Sequence, residues 1–304
     1  MGMHRKDRTT SHAVLLVAAL ALAPFGALAA EEPEAGAAEA EEETSRISGI
    51  VQVDFTNAYF FRGIMQERDG FIGQPWGELY FNLFSADEGL IRDVTIGGGV
   101  WNSWQSEKTL REHSPGPLYE TDWYPLFSVG FENDITFTLI YYFYSSPNGA
   151  FDTVEELNLK LAWDDSEVLG RFALAPWVNL AMETHLTSFG DEKGEGVQLG
   201  IGPTLFELDN DTYPLSITLP AELGLAIDDY YEEEDEEGRV SENTFGYASV
   251  GLLASLPITA IPESFGSWTV SAGGKIFYLS ETLQDVNRGD HVYPVVTASL
   301  GVEF

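Results

Sequence analysis

From Ile47 onward the apolar residues of this chain recur at every second position, and no sustained helical repeat competes with them. Ile47, Gly49, Val51, Val53 and Phe55 alternate with Ser48, Gln52, Asp54 and Thr56; Leu157, Leu159, Leu161 and Trp163 alternate with Glu156, Asn158, Lys160 and Ala162. Successive side chains of a strand point to opposite faces, so each segment has one apolar and one polar face. The pattern predicts about twelve strands, centred on Val51, Phe81, Gly98, Phe127, Leu139, Leu159, Leu174, Leu199, Leu219, Val250, Val270 and Leu300. Long connections (Gly63–Gly73, Gln105–Asp122, Ser145–Asp152, His185–Glu195, Asp228–Asn243, Ser280–Asp290) alternate with short ones (Ser85–Asp93, Asn133–Asp134, Asp164–Glu167, Glu207–Tyr213, Pro257–Gly266). Their mean lengths are 12.5 and 6.4 residues. A closed antiparallel transmembrane β-barrel with long outer loops, short periplasmic turns and both termini periplasmic explains this rhythm, whereas a soluble sandwich has no reason for it. Thr244–Pro262 carries no charge over 19 residues, but Gly246, Gly251, Pro257 and Pro262 make it a strand ending in a Pro-rich turn.

Composition narrows the class further. The 304 residues have a net charge of −34, which argues against nucleic acid, and no cysteine, which removes disulfides, thiolate metal sites and thiol nucleophiles. A mean hydropathy of −0.08 is too polar for a helical membrane bundle. Aromatics at 13% and 30 glycines suit a membrane barrel with a polar inner wall.

The ends are consistent with export to the outer membrane of a Gram-negative cell. Residues 1–29 have the zones of a secretory signal peptide: Arg5, Lys6 and Arg8, the apolar run Ala13–Ala23, and Ala27-Leu28-Ala29 as cleavage pattern. Residues 30–45 form an acidic leader, expected to be disordered, with seven glutamates in Glu31–Thr44. Residues 46–304 are the predicted barrel. Its last strand alternates Val296, Ala298, Leu300, Val302 and Phe304 with Thr297, Ser299, Gly301 and Glu303. A terminal aromatic on the lipid face makes Phe304 the expected assembly signal, with the barrel-assembly machinery and outer-membrane lipid as partners.

Aromatics gather near predicted strand ends, at Tyr59-Phe60-Phe61, Trp101, Trp104, Trp123-Tyr124, Tyr141–Tyr144, Trp163, Trp268, Tyr278 and Tyr293, as interfacial girdles require. Strand parity points Asp54, Glu78, Glu132, Glu156, Glu183 and Glu222 inward, with Arg62, Lys160, Arg171 and Lys275. These ten are the candidate pore-lining residues of a narrow aqueous passage for small cationic or neutral solutes. The same charges could instead pair across a filled lumen, giving a structural or surface-interaction barrel. Nothing points to a cofactor or metal. The acids of Asp228–Glu242 match no calcium-loop spacing, and Gly97-Gly98-Gly99 and Gly273-Gly274 precede no phosphate-binding helix. An outer-membrane hydrolase of lipase or protease type is the rival reading. It would have to use His113, His185 or His291, and neither His113-Ser114 nor His185 with Ser188 has a convincing spacing; Asp228-Asp229 lies in an acidic loop.

Tyr59-Phe60-Phe61-Arg62-Gly63 followed by Gln74-Pro75 resembles the Tyr-x-x-Arg-Gly … Gln-Pro start of the TorF-type porins of Gram-negative outer membranes. The specific matches lie within Val51–Phe84, while the acidic leader and Glu232–Glu237 depart from the pattern. The resemblance implies an outer-membrane barrel with a pore and supplies no catalytic residue.

Overall fold

The structure is a computed structural model that describes residues 46–107, 116–187, 193–208, 210, 213–234 and 240–304. The proposed signal peptide and acidic leader lie outside the described residues. Twelve staves run in chain order: β1 Ile47–Thr56, β2 Ile72–Ser85, β3 Ile91–Gln105, β4 Leu118–Phe131, β5 Ile135–Ser145, β6 Val154–Trp163 and β7 Trp177–His185. They continue with β8 (Glu195–Ile201 with Thr204–Leu208), β9 (Leu215–Thr218 with Ala221–Asp228), β10 Phe245–Pro257, β11 Ser267–Leu279 and β12 Val292–Glu303. Each stave pairs antiparallel with its neighbours in sequence, and β12 returns to β1 with Ile50 opposite Glu303 and Thr56 opposite Thr297. The sheet is therefore closed.

Two staves are interrupted, each at a proline. Pro203 and Pro220 have no N–H to give the ladder, so β8 and β9 break at the same level. Leu219 N–H donates to Pro203 O at 2.9 Å and Gly251 N–H to Pro220 O at 2.9 Å, which carries the pairing across both breaks. Leu219, the predicted centre of a strand, is thus the joint between two halves of β9.

The wall is apolar outside and polar inside. Val51, Val100, Val250, Leu252, Ile276 and Val296 are exposed, whereas Gln52, Asp54, Gln74, Glu78, Asn158 and Asn179 are buried. A water-soluble protein buries the opposite set. Gly99 shows how the inner face is fitted: a Cβ there would stand 2.6 Å from the Tyr124 ring and 2.7 Å from Glu78 Cγ. Thr244–Pro262 is a strand, Phe245–Pro257, followed by a turn, as its glycines and prolines require.

The structure corrects four expectations. The stave expected around Leu174 starts at Trp177, and the supposed four-residue turn Asp164–Glu167 is a connection over 164–176 containing a helical turn, Ser166–Leu169, and a 3-10 turn, Gly170–Phe172. Asp164 accepts from Ser166 N–H at 2.9 Å, and buried Asp165 accepts from the N–H groups of Leu174 and Ala175 at 2.9 Å. These bonds hold the turn and take the Leu174 N–H out of the ladder, while its carbonyl still accepts from Gly202 N–H at 2.8 Å. The Gln105–Asp122 loop ends early, since β4 starts at Leu118. The first loop starts earlier than Gly63, because after β1 the chain folds into the barrel.

Candidate functional site: the lumen and its inner hairpin

Tyr59–Phe61 and Ile64–Glu67 form a small antiparallel hairpin with Phe61 opposite Ile64. Its two-residue turn is Arg62-Gly63, with φ of +46° and +84°. Two positive φ values match the twist of a tight hairpin. Glycine accepts this freely; Arg62 accepts it at a cost of about 1 kcal/mol, and so must be held by other contacts. The hairpin lies inside the barrel: Ala58, Tyr59, Phe61, Arg62, Met65 and Glu67 are all buried.

Contacts from several directions fix it there. The Tyr59 hydroxyl donates to Glu120 at 2.9 Å, and the Tyr119 hydroxyl donates to Gln66 at 2.6 Å. Asn287 accepts from Met65 N–H and donates to Gly63 O, each at 2.7 Å. Asn287 caps a short helix, Glu281–Val286, whose start is capped by Ser280 accepting from Leu283 N–H at 3.2 Å. Phe60 stacks on Phe277 with centroids 4.8 Å apart, and Phe61 meets Tyr144 edge-on at 5.2 Å. Arg68 pairs with Asp290 at 2.6 Å.

At the tip, the Arg62 guanidinium enters the carboxylate fork of Glu156. Nη2 donates to Oε1 at 2.5 Å and Nη1 donates to Oε2 and to the Tyr230 hydroxyl oxygen. Glu156 also accepts from Asn158 at 2.5 Å and from the Tyr144 hydroxyl at 3.1 Å. The polar chain continues from Asn158 to Asn179 at 2.5 Å and from Asn179 to Gln198 at 2.7 Å. A bidentate pair so enclosed is strong in geometry, and removing one partner would leave a buried, uncompensated charge.

Two further lumen carboxylates, Glu78 and Glu222, are held by tyrosine hydroxyls. Tyr124 donates to Glu78 at 2.5 Å, Tyr80 donates to Glu78, and Tyr247 donates to Glu222. Cations rest on rings: the Lys160 ammonium is 5.2 Å from the Trp177 centroid and Lys275 is 4.5 Å from that of Phe277. On β1, Asp54 accepts from Gln52 at 2.7 Å and from the Trp76 indole at 3.0 Å. Buried Gln74, opposite Asp54, has no protein partner for either amide atom.

Of the ten candidate pore-lining residues, Asp54, Glu78, Glu156, Lys160, Glu183, Glu222 and Lys275 sit on inward faces of staves, and Arg62 reaches the interior from the hairpin. The other two are corrections. Glu132 is exposed in the β4–β5 turn, and Arg171 is exposed in the 3-10 turn before β7. Both lie beyond the strand ends, where strand parity no longer sets the direction of a side chain. Inward Glu120 and Asp122 were missed because Gln105–Asp122 read as loop; the alternation of Glu120, Asp122 and Tyr124 with Thr121, Trp123 and Pro125 was their signal. The girdle reading is also corrected in part. Trp104, Trp123, Trp163 and Tyr278 face outward, but Tyr59, Phe61, Trp101, Tyr124, Tyr142 and Tyr144 are interior. Most of the inward set carry a hydroxyl, and those of Tyr59, Tyr124 and Tyr144 donate to Glu120, Glu78 and Glu156.

Closure without an edge, an apolar exterior and a charged interior define an outer-membrane-type β-barrel. No family model and no curated protein matches the sequence. Among solved structures the chain is similar to the COG4313 outer membrane channel from Pseudomonas putida F1, at 11% identity and a TM-score of 0.46, over 90% of this chain and 100% of that one. It is also similar to the NanC porin (10%, TM-score 0.39, over 84% and 98%) and to the translocator domain of the autotransporter NalP from Neisseria meningitidis (13%, TM-score 0.35, over 87% and 90%).

Proposed function

We propose that this protein is an outer-membrane channel for passive diffusion of small cationic or neutral solutes. One observation carries the reading: the interior holds Asp54, Glu67, Glu78, Glu120, Asp122, Glu156, Glu183 and Glu222 against Arg62, Lys160 and Lys275. A low-dielectric wall focuses the potential of such an excess and enriches cations. The resemblance to TorF-type porins supports the same reading. In this proposal residues 1–29 direct export, and Phe304 presents the last strand to the barrel-assembly machinery. The Phe304 ring already lies over Gly49, and the two residues exchange backbone hydrogen bonds at 2.8 and 3.0 Å.

Of the residues weighed for a hydrolase, His113, Ser114 and Ser188 lie outside the described residues, and the two described histidines do not favour one. His291 packs edge-on against Tyr278 at 4.2 Å, and His185 is exposed at the end of β7. A non-conducting structural barrel is the second reading, favoured by the inner hairpin. Planar-bilayer recording in a potassium chloride gradient tests both. A zero-current potential of cationic sign supports the channel, an anionic sign refutes the charge argument, and silence even after the hairpin is excised selects the structural barrel.

A further inference from the structure

Arg62 stands where a free cation would be held. Glu156, Asn158 and Tyr144 belong to β5 and β6, so the cradle around the guanidinium is built by the wall. The guanidinium itself comes from the hairpin. Glu156 is fully buried, offers both oxygens in one plane, and is fixed by Asn158 at 2.5 Å and Tyr144 at 3.1 Å without help from Arg62. The Tyr230 ring lies 5.5 Å from the guanidinium carbon. A planar fork facing a carboxylate beside an aromatic face is the recognition chemistry of guanidinium, which an ammonium does not reproduce. The tethered group is also imperfectly served, since buried Arg62 Nε has no partner and the Arg62 backbone sits at φ +46°.

We propose that the Glu156 cradle is a binding site for a guanidinium-bearing solute, that Arg62 is its tethered internal occupant, and that competition between the two decides whether the hairpin closes the lumen. A ligand shifts an equilibrium only by its differential affinity for the two states. Here the difference is complete, because a solute reaches the Glu156 fork only after Arg62 has left it. The hairpin is thereby a plug that its own solute releases. This rests on the channel reading and names the solute class that passes.

Three probes with the same butyl chain separate the features: butylguanidinium, butylammonium and neutral butylurea. The full chain is examined in planar bilayers, and binding is titrated calorimetrically in detergent, with heat-modifiable mobility as the check of folding. For the parent, butylguanidinium is expected to raise conductance, butylammonium far less, and butylurea not at all. Arg62→Ala is expected to conduct without additive and to bind butylguanidinium more tightly than the parent, because the cradle is no longer self-occupied. Arg62→Lys, which keeps the buried charge but loses the fork, should bind with intermediate affinity and serves if Arg62→Ala does not fold. Glu156→Gln should lose the binding. Equal affinity in the parent and the Arg62 variant that folds, or equal opening by butylurea, overturns the proposal. Conductance in every variant without guanidinium discrimination overturns it while leaving the channel standing. Tightened binding with no conductance in any variant supports the cradle and its tethered occupant, and overturns the channel reading together with the gating.

Discussion

Val250→Arg separates a membrane wall from a soluble one. Val250 lies near the middle of β10, opposite Ala221 and Ile276, and its outward side chain is 50% exposed beside Leu252 at 52% and Ile276 at 51%. In water, a surface substitution of this kind changes stability by about 0.5 kcal/mol or less. In lipid, an arginine on the outer face near the bilayer midplane costs about 2–4 kcal/mol, falling to about 0–1 near the interfaces. That corresponds to a loss of roughly 30- to 700-fold in the folded-to-unfolded ratio. Guanidinium unfolding in phosphatidylcholine vesicles, followed by tryptophan fluorescence, reads the difference. Glu263→Arg, in the exposed turn after β10, is the control and is expected to stay within about 0.5 kcal/mol of the parent. A Val250→Arg protein as stable in vesicles as that control would refute a lipid-facing β10.

Other substitutions address the interior and the seam. Tyr59→Phe removes a hydroxyl that donates to buried Glu120 at 2.9 Å and is expected to cost about 1–3 kcal/mol in the same unfolding measurement. Gly63→Ala places a Cβ at φ +84°, 3.0 Å from Tyr247; it should loosen the hairpin by about 1 kcal/mol or more, seen as faster hydrogen exchange at the Met65 amide. Cation preference should fall as salt rises from 0.1 M, where the Debye length is about 10 Å, to 1 M, where it is about 3 Å, and fall further in Glu78→Gln, as zero-current potentials will report. Phe304→Ala is expected to lower the amount of folded, heat-modifiable protein in the outer membrane, while Glu303→Gln leaves it near the parental level.

The wall was legible because its cause is local. A two-faced strand between two solvents must alternate, and Val51, Leu159, Val250 and Leu300 all fall inside staves. Leu174 did not, because the side chain of Asp165 holds it in a turn, and such a side-chain-to-backbone bond leaves no trace in hydropathy. The hairpin was not legible. Three aromatics in a row read as a girdle, and Arg62-Gly63 marks a turn without saying on which side of the wall it lies. What draws it inward is Glu156, 94 residues further along the chain. That pairing is a property of the closed barrel rather than of either segment. Glu120 and Asp122 were hidden for a related reason, since two acids beside a loop look solvated until the neighbouring staves enclose them.

The seam between β1 and β12 has a consequence for how the molecule is made. Asn57 N–H donates to Val296 O across 239 positions of sequence, and the seven registered pairs from Ile50 to Thr56 cannot begin until both ends of the chain meet. Loop-closure entropy grows only slowly with length, so the final energy is scarcely penalised, but the route is. Every growing sheet short of closure has two raw edges and an apolar face turned to water, an invitation to pair with the wrong chain. Ring closure is therefore a kinetic commitment, slow by topology. Until Phe55 finds Ala298, the time spent in transit is the molecule's most hazardous interval.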